Sequence, residues 1–271
     1  MSLVSLTRRV SFSSGHRYWL PSLSPDENRE LFGPWASPYN HGHNYVLDVT
    51  GRGEVDPVTG MVINIKVLDD LLQDRIVSRF DQKSINDEVP EFADRSPSTE
   101  NLLLHFQEVL HDFPIELTEL ALHETPLLWA SWTSHNPAMI SLTRVYEFAA
   151  SHRLHAEDLS QEENLDLFGK CNNPNGHGHN YVLEVTISGT PDARTGMIAD
   201  LGALDDAVNR EVIDRYDHKN LDRDIPELLG RNTTSEVVAL AIFDRLKGAV
   251  PASLQRVRLH ETARNSFTVE G

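Results

Sequence analysis

His177 and His179 stand two residues apart at the head of NYVLEVTIS (180–188), where Tyr181, Leu183, Val185 and Ile187 alternate with other residues. Read as a strand, that period of two sends both imidazoles to one face. His152 follows directly on another apolar run, RVYEFAAS at 144–151, and an antiparallel neighbour can bring it beside them. Three neutral imidazoles with an open fourth position are a catalytic zinc arrangement. A single HxH at a polar strand entry more often has its rings satisfied by hydrogen bonds alone. Recurrence argues otherwise here, because His16, His41 and His43 repeat the same three positions. A metal is expected at both.

Two further groups could move protons. Cys171 lies six residues before His177 in a loop that can fold over the metal. As the only cysteine it excludes an internal disulfide, and it is either a buried small hydrophobe or a nucleophile. Asp217-His218 reads either as a carboxylate orienting an imidazole or as a polar pair ending a helix.

The elements that must position these groups occur twice. His41 recurs as His177, an offset of 136 residues, and the same offset carries FSSGH (12–16) onto FAASH (148–152). It also carries TGM (59–61) onto TGM (195–197) and RFDQK (79–83) onto RYDHK (215–219). LHET at 122–125 then pairs with LHET at 259–262. A self-similarity this long is a duplication. In the second copy, strands are expected at 144–151, 180–188, 254–261 and 266–270. Helices are expected at 203–216 and 235–247, with 155–175 as a loop. Each copy is thus β-β-α-α-β-β, an α+β unit with an antiparallel sheet. The boundary falls in LLWASWTSHNPAMISLTR (127–144), which lacks a clean period and reads as a partly buried linker. We therefore expect domains at 1–130 and 144–271, joined by a linker at 131–143.

Composition narrows the function. A net charge of −17 over 271 residues argues against a nucleic-acid partner, whose phosphates demand a basic face. A phosphate-bearing ligand would need a local basic pocket, for which Lys219 and Lys170 are candidates. No run reaches the ~18 apolar residues of a membrane span, and no apolar block follows the basic pair near the N-terminus. No membrane partner and a cytoplasmic location are expected.

The strings LFGKCNNPNGHGHNY (167–181), TGMIADLGALDD (195–206), YDHKNLD (216–222), TTSE (233–236) and HET (260–262) closely resemble the 6-pyruvoyltetrahydropterin synthase family. The resemblance implies a tunnelling fold, whose antiparallel sheets close into barrels on oligomerisation. It implies zinc, one ion per domain, together with a magnesium requirement. The implied reaction converts 7,8-dihydroneopterin triphosphate into 6-pyruvoyltetrahydropterin with elimination of triphosphate. It assigns Cys171, Asp217 and His218 to catalysis, the last two reaching the site from a neighbouring subunit. Glu261 would anchor the pterin, and Thr234 and Ser235 would line its pocket.

The first copy departs from this pattern. Trp35 stands where Cys171 is and Gln82 where His218 is, whereas Asp81 and Glu124 remain. Tryptophan cannot take the proton and glutamine cannot titrate, so the first domain is expected to hold metal but to be inert. A homo-oligomer, favoured as a trimer of chains, would let competent second copies meet. Two alternatives stand beside this reading: 6-carboxytetrahydropterin synthase of queuosine biosynthesis, and a non-catalytic pterin- or metal-binding protein.

Overall fold

Strict alternation in LVSLTRRVSFSSGH forms β1 (Leu3–His16), whose buried positions face inward every second residue. The computed structural model describes residues 3–271. Capped at Ser24 by a reciprocal box with Glu27, α1 (Pro25–Phe32) leads to β2 (His41–Glu54). Then come α2 (Ile65–Leu72), α3 (Thr99–Val109), β3 (Glu116–Thr125) and β4 (Leu128–Thr133). In the first copy the strand order of the sheet is β4-β3-β2-β1, with Lys83–Ser84 pairing parallel to β1. Its inner face and the two helices enclose Phe12, Tyr45, Leu47, Leu72, Phe80 and Phe106. Phe12 stacks on Tyr45 at 5.0 Å, and Phe80 meets Phe106 edge-on.

The second copy repeats this as β5 (Ile140–His152), α4 (Gln161–Phe168), β6 (His177–Gly189), α5 (Leu201–Val208), α6 (Ser235–Leu246), β7 (Ser253–Thr262) and β8 (Asn265–Glu270). Its strand order is β8-β7-β6-β5, and Lys219–Asn220 lies parallel to β5. Phe148 stacks on Tyr181 at 5.0 Å, the counterpart of the Phe12–Tyr45 pair. The expected α+β class therefore holds in each copy.

Three expectations change. The stretch 127–144 is strand rather than linker at both ends, because Leu128–Thr133 pairs with β3 and β5 begins at Ile140. Leu128, Ala130 and Trp132 alternate inward, a pattern masked in the sequence by the second tryptophan, Trp129. The loop at 155–175 contains α4, whose Ser160–Glu163 capping box is legible in the sequence. The helix expected at 203–216 is broken by a π segment, Asn209–Ile213, and the first copy has the same feature at Gln73–Val77. A π-bulge of this kind re-aims the residues beyond it, here Asp217 and Asp81.

Chain contacts divide the molecule into two units: residues up to Leu142 with Ser188–Asp200, and Thr143–Ile187 with Leu201–Gly271. The loop between β6 and α5 of the second repeat thus belongs to the first unit. There Met197 joins Tyr18, Leu20 and Phe32 in one apolar cluster. Ser98 Oγ donates to the Gly196 carbonyl, and the Ile198 amide donates to Glu100 Oε1 at 2.9 Å. Gly196 has φ +73°, and a Cβ there would sit 2.0 Å from Asn101 Nδ2, so only glycine fits. Among the described residues no helix is long and apolar enough to cross a membrane.

Candidate active site

In the first unit the antiparallel register sets His16 directly opposite His41, and β2 alternation puts His43 on the same face as Tyr45 and Leu47. The three rings lie 4.4–5.1 Å apart by centroid. His152, His177 and His179 form the same arrangement at 4.6–5.2 Å. In each triad the potential ligand nitrogens all lie within 4.8 Å of one another. Every member predicted from the sequence is therefore brought together.

Hydrogen bonding fixes which nitrogens are free. His152 Nδ1 donates to the Thr233 carbonyl at 2.7 Å, and His16 Nδ1 does the same to Pro97 at 2.9 Å. This backbone anchor orients each ring as the outer partner of a metal-bound histidine does. His152 Nε2, His177 Nδ1 and His179 Nε2 are left buried without a partner, as are His16 Nε2 and His43 Nε2. Buried orphan acceptors pointing at one locus are costly unless a cation fills it. Burial, helped by His41, pushes the His16 imidazole down to about 3. Burial is also the main cause that lowers His41, His177 and His179. Each shift favours the neutral imidazole, the form that binds metal. The donor set fits a divalent cation of the zinc class in both units.

Glu261 borders the second triad, with Oε1 3.8 Å from His152 Nε2 and 3.9 Å from His179 Nε2. It accepts from Ser235 Oγ at 2.6 Å and from Asn265 Nδ2 at 2.7 Å. Burial pushes this carboxyl up, but the two hydrogen bonds and the imidazoles outweigh it and hold the group below its ordinary value. Asn265 was not singled out in the sequence, since a lone asparagine at the head of a strand carries no periodic signal. Thr234 is the N-cap of α6, and the carbonyl of the preceding residue, Thr233, is the one that anchors His152. In the first unit Glu124 accepts from Thr99 Oγ1 at 2.5 Å and lies 3.4 Å from His43 Nε2.

Asp217 Oδ1 accepts the Ala149 amide, and its Oδ2 accepts His218 Nδ1 at 2.7 Å. Those two bonds hold the carboxyl below its ordinary value. His218 has φ +57° and an 82% exposed side chain. It lines one open cavity with His179 and Lys219. The first unit keeps the same scaffold: Asp81 accepts the Ser13 amide, and Gln82, in place of the imidazole, has φ +59°. Cys171 is half-buried in a 3₁₀ turn, Gly169–Asn172, where its carbonyl accepts the amide of Leu154, two residues past His152.

Each half of the chain is similar to known proteins. A family model described as 6-pyruvoyl tetrahydropterin synthase matches residues 5–135 and again 141–271. The 6-pyruvoyl tetrahydrobiopterin synthase of Poecilia reticulata is 46% identical over 131 residues, covering 48% of this chain and 89% of the relative. The 6-carboxy-5,6,7,8-tetrahydropterin synthase of Haemophilus influenzae is 30% identical over 144 residues, covering 46% of this chain and 94% of that relative. Among solved structures, the Caenorhabditis elegans 6-pyruvoyl tetrahydropterin synthase shares 44% identity, with a TM-score of 0.47, over 49% of this chain and 96% of that one.

Proposed function

The chain belongs to the 6-pyruvoyl tetrahydropterin synthase family, and on that premise we propose that its second domain converts 7,8-dihydroneopterin triphosphate into 6-pyruvoyltetrahydropterin with release of triphosphate. The observation that carries this reading is the Asp217–His218 pair, bonded at 2.7 Å in a domain that also holds Cys171, a histidine triad and Glu261.

Each residue then has a role. Glu261 accepts two N–H bonds from the guanidine-like edge of the pterin ring, in exchange for those it now takes from Ser235 and Asn265. Thr234 and Ser235 wall the same pocket. His152, His177 and His179 would hold a zinc-class ion, which when bound would supply Lewis acidity toward the side-chain oxygens of the substrate. Cys171 accepts a proton from the substrate side chain as thiolate. Asp217 fixes the Nδ1–H tautomer of His218, so its Nε2 exchanges the second proton. The exposure of His218 suits a group that serves a thiol beyond its own unit. The first domain binds one metal through His16, His41 and His43 and is inert, because Trp35 and Gln82 replace the two proton carriers. Magnesium as a further requirement and a cytoplasmic location belong to the same proposal.

Incubating the purified chain with dihydroneopterin triphosphate and identifying the pterin by mass tests the reaction. Formation of 6-carboxytetrahydropterin would favour the queuosine-type alternative, against which the lower 30% identity already weighs. Absence of any product would leave a pterin- or metal-binding protein. Oligomerisation closes the sheets into barrels in this proposal, and β8, which pairs only with β7 among the described residues, offers an edge for it. For a trimer of 30.5 kDa chains, light scattering should give roughly 90 kDa. A stable, active monomer would overturn the assembly.

A further inference from the structure

Resting on the proposed reaction, whose substrate is a triphosphate ester, we propose that a cavity in the second unit, walled by Arg153, His155, Arg223 and Arg231, is the subsite for the linear triphosphate. A chain of net charge −17 repels a polyanion unless a local cationic enclosure receives it. This cavity measures about 470 Å³, the size of a ligand pocket. Its wall is continuous with the metal triad along the chain, since Arg153 follows His152, and Gly176, also on the wall, precedes His177.

Most arginines in the molecule are ion-paired, Arg144 with Asp205 and Arg215 with Glu227 among them. Arg153, Arg223 and Arg231 have no carboxylate partner among the described residues. Arg153 Nε donates to Asn172 Oδ1 at 2.8 Å, which fixes its guanidinium plane and leaves its terminal nitrogens to face another group. One of them lies 3.3 Å from His155 Nδ1. Asp222 also lines the cavity, but it is engaged, accepting the Arg153 amide at 2.6 Å and Thr233 Oγ1 at 2.5 Å. The remaining carboxylates, Glu157 and Asp158, are solvent-exposed. Planar guanidinium forks are suited to phosphate oxygens, each giving two parallel hydrogen bonds.

The first unit supplies the contrast. Its Arg17, the counterpart of Arg153, is locked in a two-pronged pair with Asp87 at 2.6 and 2.7 Å. Asp87 occupies the position of Arg223, and Trp19 that of His155. The copy that lacks the thiol and the imidazole thus ties up this guanidinium, although Arg95 stands where Arg231 does and Asn86 where Asp222 does. In the second copy the same exchange leaves Arg153 and Arg223 on one wall with no ion pair between them, so both guanidinium forks can face phosphate oxygens. Lys170 and Lys219, the candidates from sequence, do not line it.

Titration calorimetry of the full chain with sodium tripolyphosphate tests the assignment. One site per chain is expected. Arg223→Asp, which recreates the first unit's ion pair, should weaken binding at least tenfold, and Arg231→Ala should weaken it severalfold. Lys170→Ala should leave it unchanged. With the pterin triphosphate, Arg223→Asp should raise KM more than it lowers kcat, while binding of unphosphorylated neopterin and metal content stay as in the parent chain. Equal tripolyphosphate affinity in the parent and Arg223→Asp chains would overturn the proposal, as would an equal loss in Lys170→Ala. A parent chain that turns over no pterin yet binds tripolyphosphate through Arg223 would sink the catalytic reading and uphold this one.

Discussion

His218 donates from Nδ1 to Asp217 Oδ2 across 2.7 Å, and Asp217 is itself held by the Ala149 amide. The carboxylate is built into the sheet, whereas the imidazole stands in solvent. Replacing His218 with Gln reproduces the first domain, whose Gln82 already tolerates the same left-handed backbone. We expect kcat to fall about 10²–10⁴-fold, the usual contribution of a general acid–base group, with little change in melting temperature. Steady-state kinetics beside a thermal melt checks this. A large loss of stability would mean the imidazole has a structural role.

Metal analysis should find two ions per chain. His41→Ala should lower the count by one and leave activity largely intact, whereas His177→Ala should lower it by one and abolish turnover. Inactivity of His41→Ala would show that the first domain contributes to catalysis.

Cys171→Ala should abolish turnover while metal content and pterin binding persist, because the thiol is proposed as a base and lies outside both triads. Loss of one metal in this variant would make Cys171 a ligand instead.

Burial pushes the Glu100 carboxyl up to about 7, although the Ile198 amide and other hydrogen bonds oppose the shift. A raised carboxyl favours the folded state when protonated, so stability falls as pH rises from the unfolded value, about 4.3, toward 7. Glu100→Gln keeps an acceptor for Ile198 and removes the ionisation. It should therefore stabilise the first unit at pH 8, by at most about 4 kcal/mol, and lose that advantage near pH 4. Denaturant melts of both chains across this range decide it, and a pH-independent difference would contradict the burial argument.

Gly196→Ala should destabilise the first unit by more than the ~1 kcal/mol of a left-handed alanine, since its Cβ also meets Asn101 and Ser98. Chemical denaturation measures the loss, and a neutral outcome would mean that the 195–198 segment does not dock on α3.

The sequence alone determined the duplication, the α+β class, the two histidine triads, and the loss of thiol and imidazole from the first copy. These signals are local or self-repeating: a period of two along β2 and β6 fixes which face a histidine takes, and matched strings locate its counterpart. The family motifs pointed to roles that spacing could not, such as the one proposed for Glu261 toward the pterin. Only the tertiary structure decided that Asn265 and Ser235 hold Glu261, and that 127–144 forms strands instead of a tether. It alone placed Met197 beside Tyr18 and gathered Arg153, Arg223 and Arg231 around one cavity. Each of these depends on partners far apart in the chain, Ser98 with Gly196 or Arg153 with Arg231. Their approach is set by how sheets and helices pack, so neither residue carries a periodic mark of the other.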